Sequence, residues 1–332
     1  MMPRRQFGST QLEVTPIGLG MAALGRPGYI TLGHAQDIRS TDVEAMQRQA
    51  HIVLHTAWEF GIRYFDAARS YGKAEQFLSS WFTENDIPAN EVAVGSKWGY
   101  TYTADWQVEA DEHEIKEHSV DVLQRQWAET QENIGPYLNL YQIHSATQSS
   151  GVLENDAVLE ELFRLKRAGT LIGLSLSGTA QGDTLMQALD VKDNGTRLFD
   201  AVQATWNILE RSAEPALTEA HHAGLGIIVK EALANGRLTV RSAANPDFAE
   251  QYRVIMGQAG RLGTSVDALS TAAVLAQPWA DIVLSGAASR VHLISNIAAI
   301  NVPFDDEAAA ALQDVTEDPD AYWQTRSALA WN

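Results

Sequence analysis

Four ionisable residues of four different types stand at or just past the ends of short apolar runs in this 332-residue chain. Asp66 lies in IRYFDAA (62–68), and Tyr71 follows it in FDAARSYGKAE. Lys97 ends EVAVGSK (91–97), and His144 ends LNLYQIH (138–144). A carboxylate, a phenol, an ammonium and an imidazole brought to one place make a proton-handling site. Singly, each residue has a plainer role. Asp66 suits a turn or a cap, Tyr71 a packed loop, and a lone His144 a structural position. Lys97 is harder to explain that way, because lysine is seldom buried without a partner. Further polar residues sit in or at the ends of other runs: Ser175 in the fifth, Gln203 in the sixth, and Ser285 with Gly286 in the eighth.

Those runs number eight: 14–21, 62–68, 91–97, 138–144, 171–177, 199–206, 225–232 and 281–287. They are short, rich in β-branched residues and nearly continuous in hydrophobicity, as strands are when both faces are covered. Between them, segments such as VEAMQRQAHIVLHTAWEFG place Val43, Met46, Ala50, Val53, Leu54, Ala57 and Trp58 at helical spacing. Similar patterns cover 118–134, 155–168, 180–192, 212–223, 246–260, 264–277 and 290–300. Alternation of this kind predicts parallel βα units. With no Pro/Gly/Ser-rich linker to divide the chain, a single (β/α)8 barrel spanning 1–332 is the simplest account. Such a barrel gathers the C-terminal ends of its strands on one rim, where its chemistry sits. RRQFGSTQLEV reads as a hairpin ahead of the barrel. Long βα loops are expected at 22–42 and 98–117, and a tail from Pro319, with Tyr322, Trp323 and Trp331, is placed to fold across the mouth.

Composition narrows the function. The formal charge is −18, which disfavours nucleic acid and anionic membranes as partners held by bulk charge. Cysteine is absent, which excludes disulfides, thiol catalysis and zinc–thiolate sites. No apolar run reaches the ~18 residues of a membrane span, and MMPRRQFGST lacks the apolar core of a leader, so a cytoplasmic protein is expected. No strand end carries a His-x-His or carboxylate cluster, so no metal is expected.

The motifs DAAxxYGxAE (66–75), GSK (95–97), LYQIH (140–144), IGLS (172–175), VQxxWN (202–207) and LSGAASRVHLISN (284–296) resemble those of the aldo-keto reductase family, in order and spacing. IGLGM (17–21) and the N-terminal hairpin fit as well. The resemblance implies a TIM barrel whose hairpin caps the bottom, with NAD(P)H-dependent reduction of aldehydes or ketones. It places the catalytic tetrad on Asp66, Tyr71, Lys97 and His144. In that chemistry, hydride arriving at a carbonyl carbon leaves an alkoxide that Tyr71 protonates. Lys97 favours the phenolate, by ~4 kcal/mol for charges ~4 Å apart at an effective dielectric of ~20. Asp66 keeps Lys97 charged, and His144 orients the substrate oxygen.

By the same resemblance, the cofactor lies along Gly20, Met21 and Asp66. Ser175, Gln203 and Asn207 are at its nicotinamide end, with Trp206 stacked on the ring. Leu233, Gly236 and Leu238 follow the pyrophosphate. Gly286, Ala287, Ser289, Arg290 and Asn296 hold the adenosine end, with Arg290 offering a fork to the 2′-phosphate of NADP. NADP(H) is therefore expected, with NAD(H) as the alternative. Three positions depart from the pattern: Leu176 where asparagine is common, Ala288 where a basic residue is common, and Ser295 where glutamate is usual. Trp98, Tyr100 and Trp106 are expected to wall a small-molecule carbonyl or sugar site. Two other functions fit the same residues: an aldose or alcohol dehydrogenase working in the oxidative direction, and a nucleotide-holding subunit with little turnover.

Overall fold

A computed structural model describes residues 2–332. All eight apolar runs form strands: Ile17–Gly20, Tyr64–Asp66, Ala93–Trp98, Leu138–Ala146, Leu171–Leu176, Ala201–Thr205, Gly226–Lys230 and Ile282–Ser285. Each is parallel to the next, and the last pairs with the first, closing the barrel. The expected (β/α)8 architecture is the one observed.

Several helices begin where the sequence supplies a cap. Asp42 accepts from the Ala45 N–H at the head of Val43–Glu59, Ser119 caps Val120–Ile134, and Asn155 caps Asp156–Arg167. One helix, Ala74–Glu84, was not among the expected segments. It starts directly after the Tyr71 loop with no side-chain cap at Lys73, so the usual start signal is missing. Its buried face, Phe77, Leu78, Trp81 and Phe82, packs on the second strand through Phe65.

The bottom of the barrel is sealed by the predicted hairpin, which pairs Arg5–Gln6 with Glu13–Val14. Phe7 is fully buried among Tyr64, Ala93, Leu140, Ala201, Ile228 and Ile282, which come from six different strands. Glycine at 226 makes room for it, since a Cβ there would lie 2.4 Å from the Phe7 ring.

At the opposite end, three long segments surround the mouth. Residues 22–42 contain the short helices Ala22–Gly25 and His34–Ile38. Residues 98–117 fold into a hairpin of Tyr100–Tyr102 against Glu114–Lys116. The tail forms a helix, Pro319–Ser327, and then crosses the mouth as expected. Tyr29 N–H donates to the Asn332 carbonyl at 3.1 Å, and Trp331 stacks on His113 with ring centroids 4.1 Å apart.

Because Phe7 joins six strands at the closed end, its loss opens a cavity that the barrel cannot collapse. Phe7→Ala should lower the unfolding free energy by about 3 kcal/mol or more in urea melts. A loss below about 1 kcal/mol would show that the hairpin does not support the barrel.

Candidate active site

The strand register sets the four residues on one rim. Gly20 is beside Asp66, Asp66 beside Gly95, and Lys97 beside Gln142. The fourth strand then slips register against the fifth between Ile143 and Ala146. Ser145 takes a left-handed φ of 52° there, and its N–H donates to Ser175 Oγ at 2.8 Å. A bulge of this kind re-aims the neighbouring side chain, here His144, toward the barrel axis.

Asp66 and Lys97 form a buried ion pair through Oδ2 and Nζ. Lys97 Nζ also donates to the Ala67 carbonyl at 2.9 Å. The second carboxylate oxygen of Asp66 accepts from Gln203 Nε2 at 3.0 Å, with Gln142 Nε2 and Tyr64 OH each at 3.4 Å. Tyr71 arrives from the loop after the second strand, on a turn that needs Gly72 at φ 57°. A Cβ on that glycine would lie 2.5 Å from the Gly25 carbonyl oxygen. The Tyr71 hydroxyl lies 3.4 Å from His144 Nε2, and the rings meet edge-on at 5.4 Å. Behind it, Lys97 Nζ is 4.9 Å from the ring centroid. Ser70 Oγ lies 3.4 Å from His144 Nδ1.

Burial, followed by the charge of Asp66, pushes the Tyr71 phenol well above its ordinary value, while Arg26 pulls the other way. The expected pull of Lys97 toward phenolate does not dominate. His144 is driven well below its ordinary value, first by burial and then by Lys97, Lys230 and Arg26. Both partners are thus neutral at neutral pH, with the phenol carrying a proton.

A cavity of about 340 Å³ opens onto this group. Gly20, Asp66, Tyr71, His144 and Gln203 line it, together with Tyr29, Tyr100 and Trp331. Of the three aromatic residues expected to wall the substrate, only Tyr100 does so. Trp98 is fully buried in the outer core against His118, and Trp106 is tied to the Thr41 carbonyl at 2.6 Å and to Phe77.

The cavity also carries charges that lie outside the sequence motifs. Arg26 pairs with Glu114 at 2.8 Å. Glu231, at φ 57°, takes a forked ion pair from Arg326 of the tail helix, at 2.9 Å and 2.6 Å. Lys230 reaches Thr205 Oγ1 at 3.0 Å. Burial lowers Lys230 to about 8 against the opposing charge of Glu231. Burial works to raise Glu231, but the charges of Arg326 and Lys230 hold it at about 2. Lys230 ends an apolar strand just as Lys97 does, so the same signal was present in the sequence.

Beyond Glu231 lies a second cavity of about 380 Å³. It shares Tyr29, Glu231, Leu284 and Gly286 with the first. Leu233, Gly236, Gly286, Ala287 and Asn296 line it, as expected of residues along a dinucleotide. Asn235, which was not foreseen, lines it too and is only 7% exposed. Its Nδ2 donates to the Ile30 carbonyl, while its Oδ1 has no partner.

Seven expected contacts lie on neither wall. Met21 and Leu238 are fully buried in apolar clusters. Ser175 spends its hydroxyl oxygen on the bulge at Ser145. Trp206 faces the outer layer, packed on Trp279 with its Nε1 on Glu214, so the ring-stacking role is corrected. Asn207 braces its own loop, accepting from the Leu209 and Glu210 N–H groups and donating to Tyr322. Ser289 caps the helix Arg290–Ile297. Arg290 is exposed and outside the second cavity's lining.

A parallel eight-stranded barrel with a buried ion pair, a phenol and an imidazole at its C-terminal rim defines an enzyme-type architecture. The chain belongs to the aldo/keto reductase family, whose sequence profile matches residues 16–317. It is therefore an oxidoreductase by family. Pyridoxal 4-dehydrogenase of Microbacterium luteolum is 23% identical over 292 residues, spanning 78% of this chain and 79% of that protein. D-threo-aldose 1-dehydrogenase of a Pseudomonas species is 24% identical, over 74% of this chain and 76% of that one. In three dimensions, the holo form of an aldo-keto reductase from Bacillus halodurans superposes with a TM-score of 0.71 at 19% identity, covering 95% of this chain and 96% of the other. That likeness speaks for the fold.

Three histidines near the mouth are held neutral by burial: His34 and His118, each lowered to about 4, and His144, lowered well below its ordinary value. In the unfolded chain they protonate from about pH 6.5 downward. Unfolding therefore takes up protons in that window, and stability falls as pH drops. The urea midpoint should decline steadily from pH 7 to pH 4.5. A flat midpoint would mean that these imidazoles are not neutral in the fold.

Proposed function

We propose that this protein interconverts a small aldehyde or ketone with its alcohol, using a nicotinamide dinucleotide, with Tyr71 as the proton-transfer residue. The observation that carries the reading is the contact of the Tyr71 phenol with the His144 imidazole, 3.4 Å apart, on the wall of the rim cavity. The dinucleotide fits what lies alongside. Two connected cavities share a wall at Gly286 and Glu231, and the inner one meets the tetrad. Asn235, on the wall of the outer cavity, carries a buried side-chain oxygen without a partner.

When bound, such a cofactor supplies hydride to a carbonyl carbon or removes it from an alcohol. Residues of this chain would do the rest. Tyr71 holds a proton on its phenol oxygen and can release it to a substrate oxygen as negative charge builds there. His144 Nε2 can hold that same oxygen in place. Lys97, fixed by Asp66 and the Ala67 carbonyl, supplies a stationary positive charge behind the ring at the moment the phenolate forms. Gln203, with its amide on Asp66 and its side chain on the cavity wall, joins the ion pair to the bound ligand.

The same residues run the reaction in either direction. The names of the two dehydrogenase relatives favour oxidation of an alcohol or sugar hemiacetal as the second reading. The charged pairs around the cavity and the rings of Tyr29, Tyr100 and Trp331 suit a flat or hydroxylated small molecule.

Tyr71→Phe should lower turnover of an aromatic aldehyde about 100- to 10,000-fold, the usual worth of general acid catalysis. Dinucleotide binding, followed by quenching of tryptophan fluorescence, should stay within about twofold. Turnover within tenfold of the native protein would overturn the assignment of Tyr71.

A further inference from the structure

We propose that the second cavity selects the dinucleotide without a 2′-phosphate, NAD(H) over NADP(H), and that Asp37 and Asp267 are the specificity-determining residues. The inference rests on the dinucleotide reading above and reverses the preference that Arg290 suggests in the sequence.

The charges on the cavity wall carry the argument. Three carboxylates line it, Asp37, Asp267 and Glu231, against one guanidinium, Arg241. That guanidinium is already engaged. Its Nη1 donates to the Leu32 carbonyl at 2.7 Å, and its Nη2 is paired with Asp37. The other oxygen of Asp37 lies 3.6 Å from His292 Nδ1. Glu231 is matched by Arg326 from the tail helix. Asp267, in the first turn of Val266–Leu275, has no cationic partner among the described residues. With the Asn296 amide turned to satisfy both its ends, Asp267 Oδ2 accepts only from that neutral group, at 3.2 Å.

Where the eighth strand gives way to its helix, a cation would be placed to meet a phosphate. The wall there is Gly286, Ala287, Ala288, Val291, His292 and Ser295, and the one ionisable group among them, His292, faces Asp37 with its Nδ1 3.6 Å from the carboxylate. Arg290 is exposed and lies outside the lining. A 2′-phosphate would add roughly −1.5 to −2 charges beside carboxylates, with no free cation on the wall to receive it. A 2′-hydroxyl brings a donor, which a carboxylate accepts; acidic residues select the unphosphorylated ribose in other dinucleotide sites on this principle.

The test is direct binding to the full chain, with NADH and NADPH titrated separately by tryptophan fluorescence quenching and by calorimetry. The native protein should bind NADH at least tenfold more tightly than NADPH at low salt. The gap should narrow as sodium chloride rises, because screening weakens repulsion. Ala288→Arg should tighten NADPH at least fivefold while changing NADH less than twofold. Asp267→Asn should narrow the gap, and Arg290→Ala should leave it unchanged. Equal or tighter binding of NADPH by the native protein, or a selective loss of NADPH in Arg290→Ala, would overturn the inference while leaving the oxidoreductase reading intact. An unchanged gap in both Asp267→Asn and Asp37→Asn would remove the two carboxylates from the role. Binding of neither dinucleotide would overturn both readings together.

Discussion

The ion pair between Asp66 and Lys97 is the constraint from which the site follows. Removing two charges from water costs several kcal/mol per ion, and attraction alone does not offset that. The barrel completes the compensation with the Ala67 carbonyl on the ammonium and with Gln203, Gln142 and Tyr64 around the free carboxylate oxygen. Together with the pair itself these groups come from the second, third, fourth and sixth strands, which only the closed barrel brings together. Truncating either partner would leave a lone buried charge, at a cost of about 3–5 kcal/mol. The pair therefore ties fold and site together. Burial and the charge of Asp66 keep the proton on Tyr71, while the Lys97 ammonium stays close behind its ring.

Around that fixed centre the mouth is assembled from separate segments. The Tyr71 turn presses on the loop after the first strand, where the Lys73 N–H meets the Gly25 carbonyl at 2.8 Å. Arg26 extends that loop to Glu114 of the hairpin and lies 4.7 Å from the ring of Trp331 in the tail. Arg326 fastens the tail helix to the end of the seventh strand through Glu231. Every one of these links joins elements far apart in sequence, and each places a charged or aromatic group on the cavity wall. The groups that shape the pocket are the same ones that hold its walls together.

The eight strands, most helices, the hairpin and the meeting of Asp66, Tyr71, Lys97 and His144 could be read from sequence because each leaves a local mark. Strands are apolar runs, helices have period and caps, and the tetrad falls at run ends. The helix Ala74–Glu84 escaped because it starts directly after the Tyr71 turn, and its neighbouring aromatics blur a helical period. Assigning contacts by motif position failed wherever the chain turns away from the axis. Trp206 and Asn207 follow Gln203 within a few residues, yet the strand has ended and both serve the outer layer or the loop. Trp98 is one residue past Lys97, and alternation along the strand sends it to the opposite face. Lys230 and Glu231 were passed over although their position was as telling as that of Lys97. What no local pattern discloses is pairing. Arg326 with Glu231, Arg26 with Glu114 and Arg241 with Asp37 are separated by scores of residues and become visible only when the barrel closes.

Charge is distributed differently in the two cavities, and the difference bears on what each can do. Around the first, Asp66, Glu114 and Glu231 each meet a dedicated cation, and Lys230 stands beside them with only Thr205 and the edge of Glu231 for company. That wall is polar but nearly compensated, so a neutral carbonyl or hydroxyl compound can enter without facing a strong field of either sign. The second cavity holds Asp267 without a counter-charge and spends its one guanidinium on Asp37. An additional phosphate beside Asp267 finds no free cation, whereas a hydroxyl finds an acceptor. Arg326, anchored on Glu231, marks the boundary between the two. The overall acidity of the chain thus reaches into the second cavity, and the barrel rim has been locally neutralised against it.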